Sequence, residues 1–150
     1  MSKIMIIAIL TLHIAIPAIA AEGVFNIPSS FSAEVTADRM EKVLKSKGMT
    51  IFNRINHSEA ADKVGIPLRD AELIIFGNPK VGSPLMQCQQ TVAIDLPQKV
   101  LIWKDEQEQV WLSYNDPRYL KNRHDITGCE EILVKIEQAL AGLTRAAATQ

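Results

Sequence analysis

The side chains able to do chemistry fall in a few short segments. Gly77-Asn78-Pro79-Lys80-Val81-Gly82-Ser83-Pro84 sets one lysine among two glycines, two prolines and an Asn-Pro step, so it specifies backbone shape as much as reactivity. Pro79 restricts Asn78 to extended or turn geometry, and the glycines admit positive φ or close approach of another backbone. Ser83-Pro84 reads as an N-cap followed by proline at the first helical position, which would leave N–H groups at a helix N-terminus with Lys80 beside them. Such a cradle suits a carboxylate, sulfate or phosphate; the alternative is a strand-to-helix turn whose glycines serve packing. The spacing of a nucleotide-binding P-loop is absent. His57 stands between a strand and a helix start with Glu59 and Asp62 close by, where it can exchange protons near neutral pH or simply hydrogen-bond the turn. Arg123, beside His124 and Asp125, offers a bidentate clamp for an anion or a basic end to a helix. His57, Asn78, Lys80, Ser83 and Arg123 are the candidate ligand-binding residues.

Cys88 and Cys129 are the two cysteines. In an oxidising compartment they read as one disulfide, or else as two small buried apolar side chains. Met86, Cys88, His57 and His124 together are soft enough ligands for copper. The spacing argues against it: Cys-x-x-Cys and His-x-x-x-His are missing, and Met86 and Cys88 sit two apart, on different faces of a helix. No metal and no cofactor are expected. A nucleophile elbow is also missing, and Ser83 before Pro84 is accounted for as a cap.

Ile75-Phe76 leading into the glycine–proline loop, Ala93-Ile94-Asp95-Leu96-Pro97, Ile55-Asn56-His57-Ser58-Glu59-Ala60-Ala61 and Gly65-Ile66-Pro67-Leu68 together resemble the family named domain of unknown function 302. The resemblance covers nearly all of residues 21–150. It implies a histidine at the position of His57 and association into homodimers, and it implies no reaction.

Residues 1–20 read as a secretory signal. Lys3 supplies the basic start, Ile4 to Ile16 an apolar run too short to span a bilayer comfortably, Pro17 a break, and Ala18-Ile19-Ala20 the small-x-small cleavage pattern. Cleavage near Ala20 would place the mature chain in the periplasm or outside the cell, with no membrane attachment. The formal net charge is −1 and both signs are interspersed, so no basic block exists to track a nucleic-acid backbone.

Residues 21–30, with Gly23, Pro28 and two serines, read as an N-terminal lead-in. Phe31 to Val35 alternates at the period of a strand, and Thr36 would cap a helix running to about Lys47. A strand over Met49–Ile55, a short helix capped by Ser58, and a buried strand over Leu73–Phe76 follow. The loop then opens a helix at Ser83. Lys99–Lys104 and Gln109–Tyr114 form a hairpin carrying Trp103, Trp111 and Tyr114, and Asp116-Pro117 opens a helix to about Arg123. Cys129, Ile132, Leu133, Ile136, Leu140 and Leu143 form the apolar stripe of the last helix, and residues 144–150 read as a frayed tail. The expected architecture is an α+β two-layer sandwich, a mainly antiparallel sheet with helices on one face, as a single domain over 31–143. The expected function is an exported binding or interaction domain holding a small anionic ligand at the Gly77–Ser83 loop. Two other classes stay open: a hydrolase- or isomerase-like enzyme using His57 as general base, and a periplasmic metal or thiol-redox accessory protein using the cysteines.

Overall fold

Strands β3 (Ala71–Gly77), β4 (Gln98–Lys104) and β5 (Val110–Asn115) place one apolar side chain in two against helices, and that alternation organises the molecule. In the computed structural model, which describes residues 21–150, β1 (Val24–Pro28) and β2 (Thr50–Asn56) complete a five-stranded antiparallel sheet of order β1-β5-β4-β3-β2. Ile74, Phe76, Val100, Ile102, Leu112 and Tyr114 lie on its covered face and are buried. Helices α1 (Ala33–Ser46), α3 (Pro79–Cys88) and α5 (Glu130–Ala148) supply the opposing side chains, among them Met40, Leu44, Leu85, Leu133, Ile136 and Leu140. Short helices α2 (His57–Asp62) and α4 (Pro117–Arg123) follow β2 and β5. The chain is an α+β two-layer sandwich. The residues read as a secretory signal lie outside the described part, and among the described residues no helix is long and apolar enough to cross a membrane.

The N-terminal segment departs from the sequence reading. Residues 24–28, taken for a lead-in, form the edge strand β1, paired with β5 from Val24–Asn115 to Pro28–Trp111. Phe31–Val35, where the alternation predicts a strand, instead enters α1, because Ser32 Oγ accepts from Val35 N (3.3 Å) and so caps the helix four residues earlier than Thr36 would. Thr36 lies inside α1, buried, its hydroxyl donating to Ser32 O (2.7 Å) and facing Ser29 Oγ (2.7 Å).

The far end departs as well. Residues 144–148 belong to α5, with Thr144, Ala147 and Ala148 buried. Their carbonyls are met from α1: Arg39 Nε donates to Ala147 O (2.9 Å) and its Nη2 to Ala146 O (3.1 Å) and Thr149 O, while Ser30 N donates to Ala148 O (2.9 Å). A cation at the negative end of a helix, bonded to its orphan carbonyls, stops the fraying that small residues would otherwise permit.

Arg54 on β2 joins the sheet edge to α1. Its guanidinium donates to both Glu72 oxygens (Nη2–Oε2 3.2 Å, and Nε to Oε1), and its Nη1 to Asp38 (2.7 Å) and Glu41 (3.1 Å). Glu72, then the other two carboxylates, hold this guanidinium more firmly protonated than usual. Bonds from Lys45, then from Arg54, lower the pKa of Glu41. A carboxyl with a depressed folded pKa contributes stability above its unfolded value, near 4.5, that is lost as the pH falls through the folded one. Arg54→Met should therefore cost about 1–2 kcal/mol at pH 7. The gap from the parent should shrink as the pH drops below about 4.5, since a protonated Glu41 no longer needs the cation; urea denaturation at pH 7 and pH 3.5 checks both statements.

Cys88 and Cys129, 41 positions apart in sequence, are joined by a disulfide, with Cα atoms 6.4 Å apart. It ties the end of α3 to the residue preceding α5. Replacing both cysteines with alanine should lower stability by about 2–4 kcal/mol, read from denaturant midpoints without reductant.

Candidate functional site

Between the glycine–proline turn, the adjoining ends of β2–β4, and α5 lies a cavity of about 330 Å³. One wall is the turn itself, from Gly77 through Ser83, with Met86 below it. Met49, Phe52 and Phe76 come from the sheet end, and Ala93, Leu96, Pro97 and Gln98 from the segment entering β4. The remaining wall is one face of α5: Lys135, Ile136, Ala139, Leu140 and Leu143, at helical spacing. The surface presented is overwhelmingly apolar. The size and character match a small-molecule site with few polar groups.

The turn is built differently from the expected cradle. Helix α3 begins at Pro79, four residues before Ser83, because Asn78-Pro79 is itself a cap and a first-position proline. Asn78 Oδ1 accepts from Lys80 N (2.9 Å), and Asn78 O accepts from Val81 N (2.9 Å) and Gly82 N (3.0 Å). The amides an anion would use are thus already bonded. Ser83 and Pro84 lie inside α3, and Pro84 deprives Lys80 O of its helical partner. Neither Gly77 nor Gly82 has a positive φ. A Cβ on Gly77 would sit 3.4 Å from Phe52 and 3.5 Å from Pro97, ordinary van der Waals distances, so the packing at the strand end would admit a small side chain here.

Of the five candidate ligand residues, Asn78 and Ser83 line the cavity. Lys80 is exposed on the first turn of α3 and outside the lining. His57 belongs to the other end of the sheet. Thr50 pairs with Gly77, whereas Asn56, next to His57, pairs with Glu72, five residues back along β3, or about 17 Å. His57 and the loop, both candidate ligand-binding positions in the sequence, therefore do not share one site: the antiparallel pairing of β2 with β3 puts them at opposite ends of the sheet. Arg123 is outside the cavity too, its Nη1 3.4 Å from Asp95 Oδ1. His124 Nε2 lies 2.5 Å from Asp95 Oδ2 and its Nδ1 3.2 Å from Thr91 Oγ1. Lys99 Nζ donates to the backbone oxygens of Asp95 (3.0 Å) and Pro97 (2.9 Å). These bonds anchor the Asp95-Leu96-Pro97 wall, which contains a cis Leu96–Pro97 peptide.

Met49, Phe52, Leu96 and the α5 residues were missed by sequence reading. The period of α5 marked Ile136, Leu140 and Leu143 as core, and nothing local distinguished a core position from a cavity wall. A second cavity, about 430 Å³, borders Arg54 and is lined by Glu34, Asp70, Glu72, Asn56 and Ser58 among others. It is polar, and its cation is already shared among three carboxylates. Among the described residues no group of three or more His, Cys, Asp or Glu side chains is placed to hold a metal ion.

A family model described as "Domain of unknown function DUF302" matches residues 25–143. The chain is similar to the crystal structure of an uncharacterized conserved protein DUF302 from Bacillus stearothermophilus, with a TM-score of 0.77 and 19% identity, covering 85% of this chain and 99% of that one. It is 39% identical over 113 residues to "Fluoride-specific ion channel FluC 1" of Brucella suis, covering 75% of this chain and 44% of that protein. The same identity and length relate it to "Fluoride-specific ion channel FluC 2" of Brucella melitensis, there over 42% of the relative. The chain thus spans less than half the length of these curated relatives. Its match to the family model extends from β1 well into α5, through the turn and the cavity behind it: the chain belongs to the DUF302 family.

Proposed function

We propose that this chain is a small binding domain, exported after cleavage near Ala20, that takes a compact and largely apolar organic molecule behind the Gly77–Ser83 turn and performs no turnover of its own. The observation that carries this reading is the coincidence of the glycine–proline turn with the wall of the 330 Å³ apolar cavity. Turn, disulfide-tethered α3 and the Asp95-Leu96-Pro97 wall all contribute to one enclosure. A free sulfate or phosphate is a poor occupant, because apolar walls cannot replace its hydration and the turn's amides are already bonded.

The enzymatic alternative has weaker support. His57 is exposed and remote from the cavity, and neither Glu59 nor Asp62 makes an ion pair with it among the described contacts. The thiol-redox alternative would have to work through the Cys88–Cys129 bridge. The match to chains named as channels, over less than half their length, favours a module that operates beside other polypeptide.

The helix-free face of the sheet supports a homodimer. Among the described residues Ile55, Leu73, Ile75, Leu101, Trp103 and Trp111 share that face by register and are half-buried, on the side of the sheet opposite α1, α3 and α5. A second copy laid face to face would cover them as a second sheet does in a sandwich. Leu101→Glu should turn a dimer into a monomer in sedimentation velocity; a parent chain that is already monomeric at 100 µM (roughly a weak-contact limit) sinks this part of the proposal.

For the cavity itself, decanol is a neutral probe of about eleven heavy atoms, the number that 330 Å³ holds at roughly 30 Å³ per water-sized group. Titration should shift the methyl resonances of Met49, Met86, Leu140 and Leu143 saturably. Ala139→Trp should abolish the shifts while leaving the far-ultraviolet circular dichroism unchanged, and Lys80→Ala should bind as the parent does. Shifts scattered over the surface, or retained in Ala139→Trp, would show that the cavity is not the site.

A further inference from the structure

The cavity has a direction. Its α5 wall runs from Lys135 to Leu143, eight residues or about 12 Å of helix. Lys135 stands at one end of that run and is the one charged side chain in the lining. It is exposed, and among the described residues no hydrogen bond or ion pair holds its ammonium; Lys42, Lys47, Lys63 and Lys80 are equally unpaired, and Lys135 differs from them in bordering the cavity. The polar side chains of Gln98 and Ser83 also reach the lining without a side-chain partner among the described hydrogen bonds. The leucines and isoleucine of the run, Ile136, Leu140 and Leu143, are buried core residues. No carboxylate borders the cavity.

An apolar space bordered on its α5 side by a cation suits a molecule of the same polarity. We propose that the ligand is a single-chain anionic amphiphile of about eleven to twelve heavy atoms, a medium-chain carboxylate in its simplest form. Its chain lies along Ile136, Ala139, Leu140 and Leu143, and its head emerges beside Lys135. The chain gains by leaving water, in proportion to the apolar area it covers. The head stays at the partly solvated rim, where a Lys–carboxylate contact is favourable because neither charge is driven into the apolar interior. This inference rests on the binding-domain reading and adds the sign and position of the head.

The test compares three probes of equal chain length, decanoate, decanol and decyltrimethylammonium, below their aggregation concentrations, on the parent and on Lys135→Gln. Decanoate should bind the parent more tightly than the ammonium does. Lys135→Gln should weaken decanoate about fivefold, the reach of one partly exposed ion pair. Decanol should be unaffected. Raising the salt concentration should erode the decanoate preference of the parent and not the decanol affinity. If Lys135→Gln binds decanoate as the parent does, or if the ammonium binds best, the anionic head is refuted while the apolar-cavity reading stands on the decanol titration. If no chain binds saturably, both readings fall. A final arm adds phosphatidylglycerol vesicles: cosedimentation with vesicles in the absence of a saturable decanoate isotherm would assign the chain to a lipid surface and overturn a free amphiphile as ligand.

Discussion

The packing of α5 onto the sheet is the constraint on which the rest of the structure depends. One stripe of that helix, Leu133, Ile136, Leu140, Leu143 and Ala147, is buried along its length. It meets two different partners. At its C-terminal end, small residues let α1 come close, and Arg39 and Ser30 satisfy the exposed carbonyls of α5. At its N-terminal end it meets α3, which has little packing of its own. Only Leu85 of α3 is buried, and Pro84 interrupts its hydrogen bonding. The disulfide from Cys88 to Cys129 supplies the attachment that this weak helix lacks. The cavity lies where the well-packed partner gives way to the tethered one, so the same arrangement that stabilises the fold leaves a space in it.

That origin explains the chemistry of the space. Its walls are core residues that found no facing side chain, together with the glycines and prolines of a turn that adds no bulk. A cavity made this way is apolar and unselective over most of its lining, and specificity has to come from the few polar groups at its edge. A fully desolvated ion would lose its hydration without gaining donors, since Asn78 has already closed the first turn of α3 on itself. The sequence suggested an anion at the loop, whereas the charged side chain in the described lining of the cavity is Lys135, on α5.

Much of the architecture could be read in advance, and the exceptions share a cause. Strands β3 to β5, helix α4 behind Asp116-Pro117 and the stripe of α5 each carry several agreeing signals over many residues. The failures are places where two local signals compete within a few residues. Phe31–Val35 alternates as a strand does, but Ser32 precedes Thr36 and captures the helix start. Asn78-Pro79 carries the same cap-plus-proline signal as Asp116-Pro117, yet Ser83-Pro84 carries it too and sits closer to the following apolar residues. Position along the chain could not reveal that His57 and Gly77 fall at opposite ends of a strand pair, because that depends on pairing β2 with β3 antiparallel. The cavity was less legible still: Met49, Leu96 and Lys135 are far apart in sequence, and each looks ordinary in its own segment.

The pair Asp95 and His124 shows how residues with chemical potential can matter without touching a ligand. His124 is bound on both ring nitrogens, to Asp95 and to Thr91, and Asp95 is further approached by Arg123. These contacts leave the imidazole no free nitrogen with which to act on a molecule in the cavity. Their consequence is mechanical. Asp95 immediately precedes Leu96 and Pro97, which form the wall opposite α5, and Lys99 grips the same segment through two backbone oxygens. The wall would otherwise be a short connection between a 3-10 turn (Gln90–Ile94) and β4, the kind of segment that opens at small cost. Charged side chains from α4 and β4 hold it against the cavity instead. Arg123, read from the sequence as an anion clamp, lies outside the cavity lining, and its partner is the protein's own carboxylate, Asp95.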